Sequence, residues 1–140
     1  MAAHDEYGKQ VLAKATAGQC IFYGEAVETH HGFGGPCRID GAIIDIAIEV
    51  ESRTSKQVRG AILDLLCHRS QKKLLVLLPV HMNVLIEKPR CEAIFKRFCA
   101  EENFRVIALD GYASAPQLAP DAERIEIALN ELGYHRMTAA

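Results

Sequence analysis

The feature that most constrains the fold is LLVLLPV, an uninterrupted apolar run of strand length from Leu74 to Val80, led in by Lys72 and Lys73. A strand that is apolar on both sides has to be covered on both faces. This is the situation of a parallel strand inside a sheet flanked by helices. Helical spacing of apolar residues supplies candidates for that cover. Tyr7, Val11 and Ala15, with Leu12 beside them, predict a helix over about 4–17. Val58, Ala61, Ile62, Leu65 and Leu66 predict a second over 55–68, opened by a capping box of Thr54 and Gln57. Ile94, Phe95, Phe98 and Cys99 predict a third over 90–102, with Pro89 just before its start. Ile125, Ala128, Leu129 and Leu132 predict a last helix over 121–132, after a loop at 111–120. Further strands are expected at 20–28, 38–43, 46–51 and 104–109, with a glycine-rich loop, THHGFGGPC, after the first. The order α-β-β-β-α-β-α-β-α joins a hairpin to βα crossovers. That order predicts an α/β fold with a mixed central sheet and helices on both faces. A chain of 140 residues is expected to form a single domain.

Into this apolar framework the stretch Arg38–Gln57 inserts Asp40, Asp45, Glu49 and Glu51 within twelve residues. Strand alternation puts Ile46, Ile48 and Val50 on one face and Asp45, Ala47, Glu49 and Glu51 on the other. Carboxylates on neighbouring same-side positions of a buried strand repel each other and lose hydration, which a divalent cation would offset. The same pattern also fits one wet face of an antiparallel sheet. Asp45 reads as a turn residue. His30 and His31 fall in the glycine-rich loop with no cysteine or histidine at a zinc-finger-like spacing. They read as a mobile polar loop.

The net charge of -2 carries no global basic signature. A nucleic-acid role would rest on a local patch, for which Arg53, Lys56, Arg59, Arg69, Lys72 and Lys73 are the candidates. The five cysteines are odd in number, widely spaced and lack a CxxC pair. Reduced thiols and a cytoplasmic chain are therefore expected, without a disulfide framework or structural zinc site. The opening MAAHDEYGKQ does not read as a signal peptide, and no apolar run approaches membrane-spanning length.

The element order, with Asp40 on the second strand and, after eight intervening residues, Glu49-Val50-Glu51 on the third, resembles the PD-(D/E)XK nuclease superfamily, the restriction-endonuclease-like fold. The resemblance covers about residues 4–80 as an αβββαβ core, with about 90–133 as a peripheral αβα addition. It implies a metal-dependent nuclease, with DNA the expected partner. Asp40 and Glu49 would hold Mg²⁺ or Mn²⁺, with the Val50 carbonyl alongside. Glu51 would complete the catalytic set. Glu25 or Glu6 would be the additional acid that the family often draws from its N-terminal region. Ser52, Arg53, Gln57 and Arg59 would meet the phosphates. A unit this small would commonly act as a homodimer to cut both strands. Two positions depart from the family pattern. Ile39 replaces the proline, and Glu51 stands where the family places its lysine. A glutamate cannot stabilise negative charge on a phosphate. It can serve as a general base or metal ligand, and Lys56 is a candidate relocated lysine. The alternative is a catalytically degenerate module of the same fold that binds DNA or a protein partner.

Overall fold

The computed structural model describes residues 3–33 and 35–135. Helix α1 spans Ala3–Ala15. Two short antiparallel strands, β1 (Glu28–Thr29) and β2 (Cys37–Arg38), flank the glycine-rich loop. The main sheet follows: β3 (Gly41–Ile43), β4 (Ile46–Arg53), helix α2 (Lys56–Cys67), β5 (Lys72–His81), helix α3 (Val84–Phe98), β6 (Phe104–Ala108) and helix α4 (Leu118–Glu131). Its spatial order is β3-β4-β5-β6. The β3–β4 pair is antiparallel and the next two pairs are parallel. The protein is thus α/β, with a mixed sheet flanked by helices, and β5 is the doubly covered strand that its continuous apolar run requires. No helix among the described residues is long and apolar enough to cross a membrane.

The alternation along β4 divides the core. Ile46, Ile48 and Val50 face a cluster with Tyr7, Val11 and Leu12 of α1 and Ile125 and Leu129 of α4. Ala47 faces Val58, Ile62 and Leu65 of α2 and Phe95 of α3, where Phe95 stacks on Phe104. Gly8 lets α1 approach β4 closely, since a Cβ there would lie 3.0 Å from Cγ1 of Val50. Helices α1 and α4 are tied by Asp121, fully buried in the first turn of α4. Its Oδ2 accepts from the Tyr7 hydroxyl at 2.5 Å and the Gly111 amide at 2.9 Å, and its Oδ1 accepts from the Asp110 amide at 2.8 Å. The Tyr7 oxygen in turn accepts from the Gln117 amide at 3.0 Å. Burial, helped by the Asp121 bond, pushes the Tyr7 phenol up to about 12.

Several local expectations are corrected. The strand expected at 20–28 is reduced to one antiparallel bridge, Ile21 to Ala42, and to the start of β1 at Glu28. Gly24, at φ 87°, then turns the chain into a 3-10 turn at Glu25–Val27. Likewise 38–43 is split, because Arg38 pairs with Glu28 while Gly41 pairs with Ile48. The capping box of Thr54 and Gln57 does not form. Ser55, at φ 60°, precedes α2 without a side-chain cap bond. Helix α3 starts at Val84, capped by Asn83 accepting from the Leu85 amide at 3.1 Å, so Pro89 lies inside it. Proline withholds its bond from the Leu85 carbonyl, and this is tolerated on an exposed turn. Pro120 similarly sits in the first turn of α4, where its missing N–H has no intrahelical partner to lose.

The β3–β4 hairpin turns through Ile44 and Asp45, with Ile43 opposite Ile46. Ile44 adopts φ 45° while remaining 66% exposed. A β-branched side chain is strained in the left-handed region, and here it gains little burial in return. Ile44→Asn is therefore expected to stabilise the protein by about 1 kcal/mol, or roughly 3 °C in Tm. Thermal denaturation measures this directly, and an unchanged or lower Tm contradicts it.

Candidate functional site

The hairpin places Asp40 and Glu49 together by ending one pairing and starting another. Beyond Gly41 the chain leaves β4, and the Ile39 amide donates to the Val27 carbonyl at 2.8 Å. At the fork, side chains replace the next rung of the ladder. The Asp40 amide donates to Glu49 Oε1 at 2.7 Å, and the Val50 amide donates to Asp40 Oδ2 at 2.7 Å. The other oxygen of each carboxyl takes no part in these two bonds.

Glu49 is 8% exposed. Burial holds its carboxyl well above the usual range, and the charge of Asp40, a hydrogen bond with it and the more distant charge of Asp64 add to the effect. Asp40 is also raised, first by burial. The Val50 amide and the bond with Glu49 oppose that shift, while the charges of Asp5 and Glu51 add to it. Two adjacent, desolvated carboxyls are costly to ionise together, and this is the condition a bound divalent cation relieves.

This arrangement has a stability consequence. In the unfolded chain both carboxyls ionise in the ordinary range. Between those values and the raised folded ones, the folded state holds more protons, so stability falls as pH rises. Above the folded values the full penalty remains. In metal-free buffer, Asp40→Asn and Glu49→Gln are therefore each expected to stabilise the protein at pH 7 by about 1 kcal/mol. The gain should shrink toward pH 4, as the parent carboxyls take up protons. Melting curves at both pH values measure it, and a loss of stability at pH 7 overturns it.

Asp40 opens onto a cavity of about 290 Å³ shared by α1 and the hairpin side of the sheet, whose lining includes Asp5, Lys9, Phe22, Arg38 and Val50. Lys9 Nζ donates to the Tyr23 hydroxyl at 3.0 Å and lies 4.9 Å from that ring's centroid. The Arg38 guanidinium lies 5.3 Å from the same centroid. Two cations held against one exposed aromatic ring, with side chains lining the same cavity as Asp40, suit a phosphate approaching that carboxylate. Sequence reasoning passed over Asp5, Lys9 and Arg38. The i,i+4 spacing of Asp5 and Lys9 puts them on one helix face, but only packing turns that face toward Asp40.

The remaining expected residues lie as follows. Glu51 Oε2 accepts from the Ser52 amide at 2.7 Å and the Arg53 amide at 3.0 Å, with Arg53 Nε at 3.8 Å. Its carboxylate is occupied by its own backbone and is not drawn into a three-ligand group with Asp40 and Glu49. Ser52 is buried, while Arg53, Lys56, Gln57 and Arg59 are exposed. Arg59 lines a separate groove between α2 and α3, with Glu87 and Arg90. Glu6 is exposed, and the α1 acid that lines the Asp40 cavity is Asp5. Glu25 is exposed and pairs with Arg69 at 3.6 Å. A larger cavity, about 740 Å³, lies along β6 between α3 and α4 and contains none of the motif acids.

The reading of His31 as part of a partnerless polar loop is corrected. His31 Nε2 lies 2.9 Å from Cys37 Sγ and 3.4 Å from Asp64 Oδ1. The signal missed was a cysteine six residues along, on β2, completed by a helix residue distant in sequence. All five cysteines are free thiols. Comparison of the chain with protein-family models, curated proteins and solved structures returned no match.

Proposed function

We propose that the protein is a metal-dependent phosphodiesterase of the PD-(D/E)XK nuclease type, acting on DNA with Mg²⁺ or Mn²⁺. The observation that carries this reading is the Asp40–Glu49 pair joined at the hairpin fork, with Asp40 lining a cavity that Lys9 and Arg38 also line. The donor set fits such an ion, since two carboxylates offer hard oxygen ligands and the remaining positions suit water. Asp40 and Glu49 would hold the ion, with the Val50 carbonyl alongside. Bound there, the ion supplies Lewis acidity at the phosphate and makes a nucleophilic water available near neutral pH. The chain's own part is positional and electrostatic. Lys9 and Arg38 draw in and orient the phosphate, and Val50 and Gly8 hold the fork against α1. Glu51 would serve as proton acceptor once its side chain leaves the Ser52 and Arg53 amides, and Asp5, which lines the Asp40 cavity, is a further carboxylate there.

That occupied Glu51 side chain favours a second reading, a degenerate module that keeps the fold and binds DNA or a protein without cleaving. Supercoiled plasmid, linear duplex and single strands incubated with the protein in Mg²⁺ or Mn²⁺ separate the two. Metal-dependent cleavage lost in Asp40→Ala and Glu49→Ala supports the nuclease. Absence of cleavage by the parent, or cleavage unchanged in both variants, overturns it. Calorimetric Mn²⁺ binding without cleavage would leave a metal-binding module, and no binding would favour the degenerate one.

A further inference from the structure

A second group of ligand-type side chains stands apart from the carboxylate fork. His31 follows β1, Cys37 opens β2 and Asp64 lies on α2. We propose that these three residues form a binding site for one zinc-class divalent ion, through His31 Nε2, Cys37 Sγ and an Asp64 carboxylate oxygen. The inference does not depend on the nuclease reading.

The case rests first on convergence. One ligand atom from each residue lies within 4.8 Å of the other two. The Nε2 contacts are 2.9 Å to sulfur and 3.4 Å to carboxylate oxygen. A tetrahedral zinc ion with bonds of about 2.0–2.3 Å has ligand–ligand edges of roughly 3.3–3.7 Å, so small side-chain adjustments suffice. It rests second on direction. A Cys–His–Asp proton relay needs the thiol and the carboxylate on opposite ring nitrogens. Here both face Nε2, while Nδ1 accepts from the Phe33 amide at 3.2 Å. The three groups point at one place rather than forming a chain, which is the arrangement of a coordination sphere. It rests third on chemistry. Thiolate, imidazole and carboxylate together select zinc-like ions over Mg²⁺, and one thiolate plus one carboxylate balance a divalent charge.

The location gives such an ion a structural task. Strands β1 and β2 are two residues each, too short to hold the intervening loop by pairing alone. Thr29 already docks on α2, its hydroxyl donating to the Asp64 carbonyl at 3.1 Å. The His31 and Asp64 side chains are 9% and 21% exposed, sheltered but reachable from solvent. On binding, the Cys37 S–H proton leaves to solvent, the sulfur electron pair becomes the metal bond, and the imidazole proton resides on Nδ1. There it faces the Phe33 N–H, a donor against a donor, so loading must swing that amide away. Three protein ligands leave the fourth position to water.

Cobalt(II) tests the site because thiolate ligation gives a charge-transfer absorption that oxygen ligands do not. The chelator-treated, reduced 140-residue chain is titrated with Co²⁺ and then with Zn²⁺. The expected result is a thiolate band that saturates at one thiolate-bound Co²⁺ per chain, its loss on displacement by Zn²⁺, a rise in Tm with Zn²⁺ and a displaced Phe33 amide resonance. Cys37→Ser should abolish the band. His31→Ala and Asp64→Asn should weaken Co²⁺ binding at least tenfold, with Asp64→Asn keeping the thiolate band. Asp40→Asn and Glu49→Gln should leave the thiolate band and its Co²⁺ dependence unchanged, which separates this site from the carboxylate fork. Absence of the band in the parent, or its persistence in Cys37→Ser, overturns the assignment. Circular dichroism of the metal-free variants checks folding. If Cys37→Ser does not fold, Asp64→Asn decides, and unchanged affinity there also overturns the proposal.

Discussion

Glu49→Ala is expected to reduce metal-dependent cleavage by on the order of 10³-fold or more, with Asp40→Ala close behind. Glu49 is the more buried of the two, and its position on β4 is set by pairing on both sides, with Gly41 opposite Ile48 and Glu49 itself opposite Leu75. Glu51, two residues along β4, is held by its own backbone rather than placed to substitute for it. The informative comparison is with stability. Glu49→Gln should lose cleavage and metal affinity while melting higher than the parent in metal-free buffer, because a charge-strained pair serves binding at the expense of folding. Added Mn²⁺ should narrow that difference by stabilising the parent alone. Single-turnover cleavage and paired melting curves, with and without Mn²⁺, measure both. Loss of activity together with loss of stability would instead mark Glu49 as a structural residue.

The largest stability effect is expected where α4 meets α1. Asp121→Ala should cost about 4 kcal/mol, lowering Tm by roughly 12 °C. Asp121 is fully buried, and its two oxygens serve three donors: the Tyr7 hydroxyl and the Asp110 and Gly111 amides. Alanine leaves all three without their acceptor, and an unmade bond to a buried group costs more than a made one contributes. Tyr7→Phe should cost less, about 1–2 kcal/mol, since it frees one Asp121 contact and the Gln117 amide. The two effects should be less than additive because they share a bond. Urea denaturation of both single variants and the double variant measures the coupling. A cost below 1 kcal/mol for Asp121→Ala would show that water replaces the carboxylate.

The elements that sequence reasoning placed well are those governed by local periodicity over long segments. The apolar run at 74–80 carried its own requirement for parallel neighbours, and β4 alternates as its residues dictate. The errors cluster where one residue's backbone overrides a pattern. Gly24 ends the alternation after Ile21, and Ser55 enters α2 in the left-handed region without a side-chain cap. Pro89 and Pro120 are tolerated inside helices because the affected carbonyls or amides lie on an exposed or first turn.

The site divides along the same line. Asp40 and Glu49 were visible from the sequence because hairpin partners are local, and alternation brings residues nine apart across a two-residue turn. Asp5, Lys9 and Arg38 needed the seating of α1 against Val50, permitted by Gly8, before they shared a cavity with Asp40. His31, Cys37 and Asp64 needed α2 to cross beneath the β1–β2 loop. Periodicity determines which face of a helix or strand is apolar. It carries no information about which polar side chains from separate elements meet once those faces are buried. That was decided only by the packing of α1 and α2 onto opposite sides of β4.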